Sequence, residues 1–166
     1  MSSLKLRRTP TPAEHVAALL EALVDVAENS FFGYVEPIDL ERFEEMAAAA
    51  PAWLRVSIHF EGAFSGWMHT DLPEALGREL FASFLGDAEA GAGERELYDL
   101  VGEFANMVCG TWLTRTSQRR QFNLQHPDVS ARPAGWQPAA AALDSPLLAS
   151  FNDAPLACWL EFIPEA

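Results

Sequence analysis

Asp99, Glu103 and Asn106 stand at D-x3-E-x2-N spacing inside the run ELYDLVGEFANMVCGTW. At about 100° per residue their side chains fall within an arc of roughly 60° on a helix. Leu97, Leu100, Val101, Phe104, Met107 and Val108 take the opposite side, so the polar triplet faces water or a partner. Asn106 cannot act as an acid or base near neutral pH. Its carboxamide offers two donors and an acceptor, which suits it to orienting a water molecule. A glutamine does this in GTP hydrolysis, where the metal and the phosphate come from elsewhere in the site. Glu103, one turn away, can meet a cation or pair with a lysine. A carboxylate and an amide on a convex helix do not complete a site, and the pair makes chemical sense if another protein supplies the phosphoryl group, the metal and the pocket. Gly102 and Gly110 flank the stripe, each costing about 1 kcal/mol relative to alanine in a helix interior. Lacking side chains, they would let a partner approach the backbone; the other reading is that they pack against a neighbouring element. Stripes of Asp, Glu and Asn are also common on solvated helix faces, so spacing alone does not single out a function.

The chain around this stripe has 166 residues, 49% of them apolar, which fits a single domain over 1–166 with a real core. A net charge of −13 with only eleven Lys and Arg argues against nucleic acid and anionic membrane surfaces as partners. Cys109 and Cys158 share no ligand spacing and fit reduced thiols in the cytoplasm. The N-terminus MSSLKLRRTP has no apolar run, and no stretch is long enough to span a membrane. His59 and His69 could face each other across a hairpin, but two imidazoles do not specify a metal site, and none is expected. Arg115, Arg119 and Arg120 form a basic cluster at the end of the long helix, where cations suit the helix dipole better than they suggest phosphate binding. Trp53, Trp67, Trp112 and Trp159 sit beside apolar positions and are expected in the core or an interface. No phosphate-cradling loop, nucleophile elbow or H-E-x-x-H is present.

The elements that carry the stripe can be drawn from periodicity. Thr11-Pro12-Ala13-Glu14 has the form of a capping box, and Val16, Leu19, Leu20, Leu23 and Val24 then recur at helical spacing, predicting a helix over about 12–29. LERFEEMAAAA could be a short helix or an irregular strand. Leu54, Val56, Ile58 and Phe60 alternate with Arg55, Ser57 and His59, and GAFSG separates them from a second strand around WMHTD, the pattern of an antiparallel hairpin. Asp71-Leu72-Pro73-Glu74 is expected to cap a helix that Gly86 stops. GDAEAGAGE reads as a flexible link, and the long helix follows over about 94–115. The C-terminal run LACWLEFIP reads as a strand. Helices mixed with antiparallel strands make the fold α+β.

Shifting the chain by 77 residues lays Asn29 on Asn106 and Gly33 on Gly110, with Leu23 and Val24 on Leu100 and Val101. A tandem duplication would give this, although the match is short and apolar helices align easily by chance. Val26 stands where Glu103 would be and Ala22 where Asp99 would be, so only the second copy keeps the acidic residues.

The run Val56 to Gly66, the helix from Pro73 to Leu85, and the segment Leu100 to Gly110 together resemble the CheX members of the CheC/CheX/FliY family of chemotaxis phosphatases. The family pattern of an acidic residue or serine, then glutamate, then asparagine is met by Asp99, Glu103 and Asn106, and a later family proline corresponds to Pro127. The resemblance implies duplicated helix-plus-strand units, with long helices packed on an antiparallel sheet. It implies a phosphatase, a hydrolase acting on the aspartyl phosphate of a CheY-like response regulator in chemotaxis or other two-component signalling. In that reading Asn106 aligns the attacking water and Glu103 pairs with a lysine of the partner, while Asp99, Gly102 and Gly110 help to bind it. Mg2+ would come with the regulator and the chain would need no cofactor of its own. Homodimerisation through the sheet is a further implication. Segment 128–166 matches the family weakly. A non-catalytic scaffold or adaptor of the same fold is the competing reading, and a small-molecule binding domain is a third.

Overall fold

The computed structural model describes residues 9–87, 91, 93–116 and 121–164. In chain order the helices are α1 (Val16–Ser30), which grows out of a 3-10 turn at Pro12–His15, α2 (Leu40–Ala48), α3 (Glu74–Leu85) and α4 (Glu94–Thr116). The strands are β1 (Val35–Pro37), β2 (Trp53–Glu61), β3 (Ser65–Pro73), β4 (Asn123–Leu124), β5 (Asp128–Ala131), β6 (Leu147–Phe151) and β7 (Ala154–Ile163). LERFEEMAAAA is therefore helical, and Asp39 caps it by accepting the Arg42 amide at 2.8 Å.

Two expected caps are corrected. Thr11 makes no side-chain cap hydrogen bond; its carbonyl takes the Glu14 amide at 3.2 Å instead, within the 3-10 turn. Asp71 lies in β3 rather than at a helix start, because the cross-strand register sets it opposite Arg55. The Arg55 guanidinium holds the Asp71 carboxylate with two hydrogen bonds of 2.8 and 3.0 Å, and Pro73 occupies the cap of α3. Gly86 does end α3, in the left-handed conformation that glycine allows at φ +69°. Most of the expected link before α4 lies outside the described residues.

All strand pairs are antiparallel, in the order β1-β6-β7-β3-β2, with β4 and β5 both on the far edge of β2. The order has an approximate two-fold pattern. Hairpins β2–β3 and β6–β7 meet at the centre through β3 and β7, while β1 crosses to pair with β6 and β5 crosses to pair with β2. Two helix-plus-strand units with exchanged edge strands give this order. β6 was not expected from the sequence: all five of its residues are buried, so the alternation that marks a half-exposed strand is absent.

Alternation along the strands builds two cores. Leu54, Val56, Ile58 and Phe60 of β2 meet Met68, Leu72, Leu156 and Leu160 on the face that α1, α3 and α4 cover. On the other face Phe43 and Ala47 of α2 pack with Trp53, Leu148, Ala157 and Trp159. Trp112 of α4 is fully buried and sits edge-on to Phe60, with Phe64, Phe162 and His15 around it. This seats the C-terminal half of α4 on the sheet. Among the described residues no helix is long and apolar enough to cross a membrane.

Candidate functional site

The apolar side of α4 is fixed by burial of Leu97, Leu100, Val101, Phe104, Ala105, Val108 and Cys109, and this turns the opposite side outward. Asp99 and Glu103 are exposed and Asn106 is half-exposed, as the 3.6-residue period requires. Among the described residues, neither Glu103 nor Asn106 has an intramolecular side-chain partner.

The stripe forms one wall of an open groove of about 790 Å³. The opposite wall is the segment from Leu124 to Val129, which links β4 to β5, and Tyr98 and Gly102 complete the lining. The segment is held to the sheet by the Gln125 amide, which donates to the His59 carbonyl at 2.9 Å. Pro127, the residue the family resemblance singled out, packs onto α4 at Gly102. A Cβ on Gly102 would stand 3.2 Å from Pro127 Cβ and 3.5 Å from Val129 Cγ2.

That contact corrects the expectation for Gly102. The glycine is buried under the chain's own loop, so its missing side chain admits Pro127 rather than a partner's backbone. Gly110 differs: a Cβ there would come no closer than 4.0 Å to Leu124 Cδ1 of the neighbouring wall. It borders a second, shallower hollow between α4 and α1, lined also by Asp25, Met107, Thr111, Thr114 and Arg115.

The repeat counterpart of Asn106 is bound up in its own helix. Asn29 Nδ2 donates to the Asp25 carbonyl at 3.0 Å and also to the Asp25 carboxylate. Asp25 in turn accepts from Arg115 at 3.2 Å, and Glu21 lies 3.5 Å from the same guanidinium. Arg115 thus ties α4 to α1 rather than capping its own helix; Arg119 and Arg120 lie outside the described residues.

The two histidines of the hairpin are not opposite each other. His59 faces Trp67 in the register and Ser57 faces His69. His69 Nε2 donates to Glu161 at 3.0 Å, and its Nδ1 lies 2.7 Å from the Ser57 hydroxyl, which occupies both ring nitrogens. Among the described residues no cluster of three or more His, Cys, Asp or Glu is arranged to hold a metal. Trp53, Trp112 and Trp159 are buried as expected, and Trp67 is half-buried on the sheet's outer face. Both cysteines are free and buried; burial pushes the Cys158 thiol up to about 12 and raises that of Cys109 further. Sequence reasoning missed the wall from Leu124 to Val129 apart from Pro127, since a polar, proline-broken connection carries no periodic signal.

The fold, a helix layer over a seven-stranded antiparallel sheet, is shared with solved chemotaxis proteins. A chemotaxis protein CheX from Vibrio vulnificus is 20% identical across 93% of this chain and 100% of its own, with a TM-score of 0.67. A CheX from Desulfovibrio desulfuricans is 14% identical over 90% of this chain and 99% of its own, with a TM-score of 0.62. The CheX of a CheX–CheY–BeF3–Mg complex from Borrelia burgdorferi is 11% identical over 92% and 99%, with a TM-score of 0.58. No curated protein matches the sequence. Residues 55–134, which run from β2 through β5 and hold the whole α4 groove, match the family model of the chemotaxis phosphatase CheX. The family model thus matches the part of the chain that holds the groove, and the α+β fold expected from the sequence is the fold the chain has.

Proposed function

We propose that this chain is a phosphatase for the aspartyl phosphate of a CheY-like response regulator. The observation that carries the reading is the unpartnered pair Glu103 and Asn106 on the outward stripe of α4, beside a groove, while the equivalent Asn29 is engaged by Asp25. An amide with free donors and acceptor can hold a water in line with a phosphorus atom delivered by another protein. Glu103 is free to meet a lysine of that protein and fix the approach. Mg2+ belongs to the regulator, which supplies the charge neutralisation that this acidic wall cannot. The family match over residues 55–134 and the CheX–CheY complex among the structural neighbours support the same partner. Asp99 and Gly110 extend the contact along α4, and Gly102 contributes by seating Pro127.

The test is phosphate release from phosphorylated response regulators of the same organism. Asn106→Ala is expected to lower the stimulated rate by about a hundredfold or more, as loss of one positioning group at a reacting centre does, with a smaller effect on association. Glu103→Ala is expected to act mainly on association. Regulators that bind the chain but lose phosphate no faster than with Asn106→Ala would make it a scaffold instead.

A further inference from the structure

Phe32 is strained and exposed at once. It follows the end of α1 with its backbone in the left-handed region, at φ +53°, where a Cβ crowds the carbonyl oxygen, and its side chain is 84% exposed. Helices commonly end on a glycine in this conformation, but here the glycine comes one residue later. Packing holds Gly33 in that place: a Cβ on it would stand 2.6 Å from Phe151 Cε1, and its amide returns to the Ala27 carbonyl at 2.9 Å. The fold thus accounts for the left-handed turn and for Gly33, and gives no reason for an aromatic ring between them. The ring has company. Of the six large apolar side chains exposed among the described residues, four are Phe32, Tyr34, Phe84 and Leu85. They gather where α1 and α3 end. The Phe31 ring lies 5.8 Å from that of Phe84; the Tyr34 amide donates to Asn152 Oδ1 at 2.8 Å, and Asn152 Nδ2 donates to Glu79 of α3 at 3.4 Å. Exposed apolar residues scattered singly are ordinary, whereas a gathered patch marks an interaction surface.

The patch adjoins the α4 site. The Phe31 ring lies 5.4 Å from that of Phe104, the residue after Glu103. A standard interface covers about 800 Å² on each side, so a regulator seated on Glu103 and Asn106 has the reach to cover Phe32. Charge selects the occupant. Residues 28–36, 79–87 and 151–155, which carry and border the patch, include Glu28, Glu36, Glu79 and Asp153 but no Lys or Arg. A second copy laying the same patch on this one would set carboxylates against carboxylates, and an anionic lipid surface meets the same repulsion. The regulator, in the phosphatase reading on which this inference rests, brings a lysine and Mg2+ to the neighbouring stripe. We infer that Phe32, with Tyr34 beside it, is a second anchor for the regulator. The ring enters an apolar hollow bordered by basic side chains and sets affinity and the choice of regulator, not the rate of the chemical step.

The test uses the full chain and CheY-like regulators of the same organism carrying beryllofluoride and Mg2+ as a stable phosphoryl mimic. Kd is measured for each variant, and KM and kcat for phosphate release are followed with the phosphorylated regulators. Phe32→Asn removes the ring and suits the left-handed backbone. It is expected to raise Kd and KM about tenfold, with kcat within about twofold and a melting temperature level with wild type or higher. Phe32→Tyr keeps the ring and is expected to bind within about twofold of wild type. Tyr34→Ser, which leaves the left-handed turn alone, is expected to weaken binding about threefold. Leu40→Ser removes an exposed apolar side chain from α2 and is expected to leave Kd unchanged. A Kd for Phe32→Asn within about twofold of wild type, or an equal loss in Leu40→Ser, overturns the inference. A lowered melting temperature in Phe32→Asn, with Tyr34→Ser binding as wild type does, also overturns it, because the ring would then serve the fold. If light scattering shows a dimer that Phe32→Asn dissolves, a second copy is the occupant and the regulator is not. Binding that depends on Phe32 without phosphate release would overturn the catalytic reading and leave the anchor in place. A chain that binds no regulator overturns both.

Discussion

At the scale of single residues, environment separates two similar side chains. Asn29 and Asn106 occupy equivalent places on paired helices, yet Asp25 engages the first and the second is free. Asn29→Ala is accordingly expected to leave phosphate release within about twofold of wild type, against the large loss at Asn106. A second residue-scale prediction concerns His15. Burial among Phe64, Trp112 and Phe162 holds its pKa below the ordinary imidazole range, with Glu14 pulling the other way. The unfolded chain then binds a proton that the folded chain resists, so stability falls as pH drops below about 6.5 and levels off once the folded form protonates. Thermal melts from about pH 8 down to about pH 5 should show a smaller acid loss in His15→Gln than in wild type; equal losses would place the acid sensitivity elsewhere.

At the scale of elements, α4 was legible because burial of one side is written at the helical period, and its observed limits, Glu94–Thr116, lie within one residue of those the pattern gives. The stripe was legible for the same reason. The opposite wall of the groove was not, since Leu124 to Val129 is placed by tertiary contacts to α4 and to His59. β6 escaped because burial on both faces erases its alternation, and Asp71 misled because a capping pattern and a cross-strand ion pair look alike in one dimension. Gly102 joins two elements and makes the element-scale prediction. Helix propensity alone says that Gly102→Ala should stabilise α4 by about 1 kcal/mol. The rigid Pro127 ring 3.2 Å from the new methyl reverses the sign, and a melting temperature lowered by a few degrees is expected. A raised melting temperature would mean that the wall yields freely.

At the scale of the whole molecule, the two cores on opposite faces of one sheet couple the site to global stability. Trp112 anchors α4 from beneath, and Trp112→Ala is expected to cost about 3–5 kcal/mol in denaturant unfolding. The buried thiols report the same integrity. With Cys158 pushed up to about 12 and Cys109 raised still further, neither is expected to react with an alkylating reagent near pH 8 until the chain opens. Labelling of the folded protein at the rate of a free thiol would show that the layer over the sheet opens locally.

The exchange of edge strands has a consequence for how such a chain can change over time. The unit that has Val26 in place of an acidic residue still lends β1 to β6 and receives β5 on β2. Neither half can therefore be discarded or fold as a complete sheet by itself; one half alone would find its missing edge only in a second copy. Side-chain changes on the outer face of α1 leave these pairings untouched, and the first half stays bound in place as the frame of the half that carries Glu103 and Asn106.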